Sequence, residues 1–207
     1  MATFTVLPFD PKYCFMNRIN RDYDPATVSL NLMEEVRARI FDKPFTNMEK
    51  RDYFLEKLAR GIAGHVEDKQ FMISLGPTNC GKGILTTLLM KAFEAYVATF
   101  DSESIIRSNE ARDARSWTWL ATDSLYSRRL LVANEIRMAS DGRQQRPIDS
   151  NLVKQLVSGG KDEIKMRVNH KLPFDVVNQA TLLILASDVP RAEPADDAYQ
   201  GRANYIE

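Results

Sequence analysis

The chain has 207 residues, 44% of them hydrophobic and 27% charged, ordinary values for a soluble globular protein. That composition excludes collagen-like, fully disordered and disulfide-scaffold chains, and the length fits one domain or one domain with a small appendage. Lys+Arg and Asp+Glu both number 28, so no global basic field draws the chain to nucleic acid or to an anionic membrane.

Cys14 and Cys80 lie far apart and outside any CxxC pattern, which argues against structural zinc and for reduced thiols in an intracellular protein. The opening MATFTVLPFDPKY shows no basic region followed by an apolar one, so no secretory signal is expected. No apolar run approaches the roughly 20 residues of a membrane span. Charge is unevenly spread: net −1 over residues 1–125, +5 over 126–171 and −4 over 172–207. The basic stretch is either a solvated face or an anion-facing surface.

Residues 1–25 read as an extended lead-in with Pro8, Pro11 and Pro25. Leu32, Met33, Val36 and Ile40 recur at helical spacing and predict an amphipathic helix over about 26–41, with Asp24-Pro25 at its start. Thr46 and Glu49 form a capping-box pair ahead of a second stripe of Phe54, Leu58 and Ile62, and Gly64 suits the C-terminal end. The pattern then changes. Gln70 to Leu75 is a short apolar run ending in Gly76-Pro77, and 81–97 is a long helical pattern without proline. Further buried strands are predicted at 129–135 and 181–187, with helical patterns between. This alternation predicts an α/β domain with a mainly parallel central sheet, preceded by a small helical N-terminal segment. The expected division is a lead-in over 1–66 and a core over 67–207.

Gly76-Pro77-Thr78-Asn79-Cys80-Gly81-Lys82 is G-x-x-x-x-G-K. Glycines let the backbone curl so that successive N–H groups face phosphate oxygens, the next helix adds its positive end, and Lys82 reaches the β- and γ-phosphates. The pattern arises by chance in roughly 5% of chains this long, so its place between strand and helix carries the argument. The next position normally holds a Ser or Thr hydroxyl for Mg²⁺ but here is Gly83, and Thr86 and Thr87 lie a turn further on. Either water completes the metal shell or metal binding is weakened. A nucleoside triphosphatase also needs a carboxylate at a strand end near the γ-phosphate. Glu135 ends the strand pattern 130–134, and Asn134 before it excludes a pair of carboxylates.

These residues resemble the superfamily 3 helicases, in particular the poxvirus-D5-like primase-helicase ATPases of large DNA viruses, phages and mobile elements. The resemblance covers most of the chain: a helical lead-in from Phe54 to Asp68, the loop GPTNCGKG over 76–83, RRLLVANEI over 128–136, and 156–167 with Gly159-Gly160 and a later Arg167. LLILASDVP over 182–190 and the segment from Asp196 to Arg202 complete it. The resemblance implies a P-loop NTPase fold of AAA+-like type that uses ATP and Mg²⁺. Gly76 to Gly83 would hold the nucleotide and Lys82 its phosphates, and Glu135 would polarise the attacking water. Ser187 would stand at a sensor position where the family usually has Asn. Arg202 would act in trans on the neighbouring subunit's ATP, which requires a ring, hexameric in the family. No dedicated protein-only metal site is expected.

In the family, a hairpin after the Gly-Gly pattern grips one DNA strand in the ring's pore. Here that implies an outgoing strand over 163–168, a tip at Asn169-His170-Lys171 and a return from Leu172, with Lys165, Arg167, His170 and Lys171 on phosphates. The reading is an ATP-driven, ring-forming helicase or translocase acting on single-stranded or forked DNA in viral or mobile-element replication. A viral setting would place it in the host cytoplasm or nucleus. The alternatives are a catalytically weakened nucleotide-binding assembly module, suggested by Gly83, Asn134 and Ser187, and an RNA helicase or packaging motor on the same fold.

Overall fold

A computed structural model describes residues 8, 10–12, 17–22, 24–45, 47–107, 117–133, 135–136, 146–168 and 171–207. Its centre is a five-stranded sheet of β1 (Phe71–Leu75), β2 (Val97–Phe100), β3 (Leu130–Ala133), β7 (Thr181–Ala186) and β9 (Ala203–Ile206). The spatial order is β2-β3-β7-β1-β9, and all four pairings are parallel. Parallel strands need covering on both faces, so their sequences are continuously apolar. All six residues of β7 and all four of β3 are buried. Alternate side chains serve opposite faces. Phe71, Ile73, Leu131, Leu182 and Ile184 join one cluster, whereas Met72, Leu130, Val132, Leu183 and Leu185 join another.

Two helices cover the second cluster: α2 (Met48–Ala63), through Phe54 and Leu58, and α3 (Lys82–Phe93), through Leu89. The first cluster is covered by Leu120 of α4 (Thr118–Ala121), by α5 (Ser150–Leu156) and by the antiparallel hairpin of β5 (Glu163–Met166) and β6 (Phe174–Val177). Tyr199 of the short α6 (Asp197–Gln200) completes that layer. A two-residue parallel pair joins β4 (Ile148–Asp149) to β8 (Ala192–Glu193). The predicted α/β architecture with a parallel sheet is therefore the observed one. Among the described residues, no helix is long and apolar enough to cross a membrane.

Three local expectations are corrected. The helix expected over 26–41 is shorter: Ser29 caps α1 (Leu30–Val36), and a wider helical turn runs from Arg37 to Asp42. Its stripe is not core, since Leu32 and Met33 are more than half exposed. The cap of α2 is Asn47, whose side chain accepts from the Glu49 and Lys50 N–H groups at 2.8 and 3.3 Å; Thr46 lies outside the described residues. Gly64 does close α2, at a φ of 88° that favours glycine. The helix expected over 81–97 ends at Phe93, and after a short turn the chain becomes β2. A four-residue strand entered with no Gly or Pro is hidden by the helical period before it.

Candidate nucleotide site

The candidate site lies at the carboxyl ends of β3, β7, β1 and β9, where the sheet order reverses. Open α/β sheets bind ligands at such a switch point. β1 leads straight into the Gly76–Lys82 loop, whose first N–H donates to the Ala186 carbonyl at 3.2 Å and so ties it to β7. A Cβ on Gly76 would come within 2.7 Å of the Cys80 sulfur, so the Cys80 side chain would have to move. Gly81 is required conformationally, with a φ of 104°, and Asn79 takes the left-handed region at 68°. The loop then enters α3, whose twelve residues direct their N–H end at it.

Lys82 turns back into the loop. Its Nζ donates to the Gly76 carbonyl, and to the Pro77 carbonyl at 3.1 Å, and lies 3.6 Å from Cys80 Sγ. The same Nζ is 3.8 Å from Glu135 Oε1. The Ser187 hydroxyl donates to that Glu135 oxygen. Three residues from three strand ends, separated by up to 105 positions, thus converge on one point. The Ile136 N–H donates to the Leu185 carbonyl at 3.1 Å and fixes the segment that carries Glu135 beside β7. A lysine, a carboxylate and a hydroxyl in line can neutralise a phosphate, accept a proton from water and hold the carboxylate in place.

The loop fits a phosphate chain, but the usual metal hydroxyl is missing. A Cβ at Gly83 would meet nothing within 4 Å, so the space for a side chain exists and is not used. Thr86 and Thr87 do not replace it. Their hydroxyls donate to the Lys82 and Gly83 carbonyls at 3.1 and 2.9 Å, within the helix. Among the described residues, no group of three or more His, Cys, Asp or Glu could hold a metal ion.

A cleft of about 410 Å³ opens over the loop, within the range of small-molecule sites. Of the residues that sequence reasoning placed at the nucleotide, Gly76, Pro77, Cys80, Gly81, Lys82 and Ser187 line this cleft, whereas Thr78, Asn79, Gly83 and Glu135 do not. The structure adds Ile40, Pro44 and Phe45 from the lead-in, with Asp188, Val189, Ile206 and Glu207 from the strand ends. Asp188 and Val189 continue the 182–190 motif, whereas Ile40, Pro44, Phe45, Ile206 and Glu207 depend on tertiary contacts that leave no local motif.

Arg202 is elsewhere. It immediately precedes β9, where its carbonyl accepts from the Phe71 N–H at 3.0 Å, so it sits at the amino end of the sheet. A strand of four residues spans roughly 13 Å, so Arg202 cannot serve the cleft of this chain. Its guanidinium donates to the Lys154 carbonyl at 2.7 Å. Lys154 also pairs with Asp196. That ammonium, the Tyr199 N–H and Arg202 hold the Asp196 carboxyl below the usual carboxylate range.

The predicted hairpin is present. Gly159 and Gly160, at φ of 77° and 69°, turn the chain from α5 into β5. A Cβ at Gly159 would press on the Lys69 side chain at 3.0 Å and on the Val66 carbonyl at 3.3 Å. Lys165 and Arg167 alternate with buried Ile164 and Met166 on the exposed face, and Lys171 is exposed near the tip. Lys165 stands directly across from Asp175, which offsets its charge. Asn169 and His170 lie outside the described residues, as does Asn134.

Comparison with known proteins follows the same outline. The family described as "Family of unknown function (DUF5906)" matches residues 75–202, from the end of β1 to Arg202. The Sputnik virophage protein named "Putative helicase V13" is 28% identical over 208 aligned positions, which span all of this chain but 25% of that protein. The chain thus spans about a quarter of the length of that curated relative. Among solved structures, the C-terminal region of NrS-1 matches with a TM-score of 0.56 and 18% identity, covering 86% of this chain and 37% of that one. JCV helicase matches with a TM-score of 0.51 and 12% identity, covering 80% of this chain and 41% of that one. At such identities the solved structures establish a shared fold.

Proposed function

This chain belongs to the DUF5906 family, and on that footing we propose that it is the ATPase module of a viral or mobile-element DNA helicase of superfamily 3, D5-like type. The convergence of Lys82, Glu135 and Ser187 beside the glycine loop carries the proposal. The named helicase relative and the helicase fold support it.

In this reading the loop N–H groups and Lys82 hold the phosphates of ATP. Lys82 exchanges its loop carbonyls for phosphate oxygens. Glu135 accepts a proton from the water that attacks the γ-phosphorus, and the bond to the β-phosphate oxygen breaks, giving ADP and phosphate. Ser187 positions the Glu135 carboxylate. Arg202 serves the neighbouring subunit's nucleotide, which makes the working unit a homo-oligomeric ring, hexameric by resemblance. The hairpin bearing Lys165, Arg167, His170 and Lys171 faces single-stranded or forked DNA by phosphate contacts without reading sequence.

Gly83 and the inward hydroxyls of Thr86 and Thr87 favour a second reading, a nucleotide-binding assembly module with little hydrolysis. Release of phosphate from ATP, measured with and without single-stranded DNA, separates the two. The helicase reading expects DNA-stimulated, Mg²⁺-dependent turnover, with Gly83→Ser raising the response to Mg²⁺. An assembled ring that binds ATP and DNA yet releases no phosphate would overturn it in favour of the second.

A further inference from the structure

The cleft over the loop is lined by two kinds of residue: Lys82, Ser187 and Asp188 are polar, whereas Ile40, Pro44, Phe45 and Ile206 are apolar. A phosphate chain uses only the polar set. Ile40, Pro44 and Phe45 come from the lead-in, a segment outside the glycine loop and its helix.

This wall is held in place. Pro44 packs beside the loop, its Cγ 3.9 Å from where a Cβ of Gly81 would stand. Phe45 lies against Phe54 with ring centroids 5.5 Å apart, and both belong to the cluster that includes Ile206. Arg51, buried in α2, pairs with Asp42 and so pins the turn just before Pro44. Asp52, first, and Asp42 favour the charged form of Arg51 and raise it above its ordinary value. Ile40 and Phe45 remain partly exposed toward the cleft.

We propose that residues 40–45 form the nucleobase wall of the site, so that a nucleoside triphosphate lies with its phosphates on the loop and its flat base against Ile40, Pro44 and Phe45, opposite Ile206. The inference rests on the nucleotide reading above and deepens it. Pre-organised apolar surface receives a flat ring without ordering cost, whereas inorganic polyphosphate leaves that surface wet. The lead-in is then part of the binding site.

Titration calorimetry in Mg²⁺ with ATP and with inorganic tripolyphosphate tests this, using the full chain and an Ile40→Ser/Pro44→Ser double variant. The wild type is expected to bind ATP about tenfold more tightly than tripolyphosphate, and the variant to lose most of that surplus, a loss typical of removed apolar pocket contacts. Tripolyphosphate affinity is expected to change less than about twofold, which also shows that the variant is folded. Equal affinity of the wild type for both ligands, or an unchanged ratio in the variant, would overturn the inference and leave the loop reading intact. An equal loss of both ligands in the variant would also overturn it, by assigning the segment to support of the loop. Binding of neither ligand to the folded wild type would overturn the nucleotide reading and this inference with it.

Discussion

The glycine loop and the β5–β6 hairpin both carry cations, and they treat them in opposite ways. In the loop, Lys82 is only 11% exposed and is surrounded by carbonyls, a thiol and Glu135. On the hairpin, Arg167 and Lys171 point into solvent. The loop's geometry is held by backbone groups and one carboxylate. Among the described residues Arg167 and Lys171 have no ion-pair partner, which suits a contact that must form and release. On the proposed reading, the chemistry is pre-organised within one chain, whereas the grip on DNA needs only a scaffold and the repetition of copies.

Several changes sharpen or break this contrast. The largest effect is expected for Glu135→Gln, which keeps the shape and removes the base. Turnover should fall about 10³-fold while ATP binding remains, as read by phosphate release against calorimetry. Next is Gly81→Ala. Its neighbours leave room, but the φ of 104° does not suit an L side chain, so thermal unfolding should show a loss of about 1–2 kcal/mol. The hairpin should behave differently. Arg167→Ala/Lys171→Ala should leave stability within about 0.5 kcal/mol. It should weaken single-stranded DNA binding about tenfold and flatten the salt dependence by roughly 1.4 in log–log slope, measured by fluorescence anisotropy. A stability loss equal to that of Gly81→Ala would remove the distinction between the two regions.

The smallest effect concerns acid. The Lys154 ammonium, first, and the Tyr199 N–H hold Asp196 below its ordinary value. A carboxylate so depressed contributes stability that is present above its unfolded pKa near 4 and is lost as pH falls through the lower folded value. Asp196→Asn should therefore flatten the loss of stability below about pH 4, measured by denaturant melts across pH, and leave the loop's nucleotide affinity near pH 7 unchanged.

What the sequence reveals follows the range of the forces involved. The loop is legible because its glycines answer local demands, a close approach at Gly76 and a positive φ at Gly81. β1, β3 and β7 are legible because burial on both faces writes an unbroken apolar run. β2 and β9 are four residues each, and β2 follows a helical pattern with no break. The α1 stripe misleads, because its periodicity is helical but nothing in the described residues covers Leu32 and Met33. The bond from Ser187 to Glu135 spans 52 positions and the contact of Pro44 with the loop spans 37. Neither spacing is fixed by local chemistry, so only the fold brings them together.

Whether the Gly76–Lys82 loop holds the phosphates of ATP is decided by calorimetric binding of ATP, with and without Mg²⁺, to this chain and to Lys82→Ala. Removing a largely buried ammonium from a charge-assisted contact should weaken binding about 100-fold, with the fold intact by circular dichroism. A folded wild-type chain that does not bind ATP, or a Lys82→Ala variant that binds it equally well, would contradict the account.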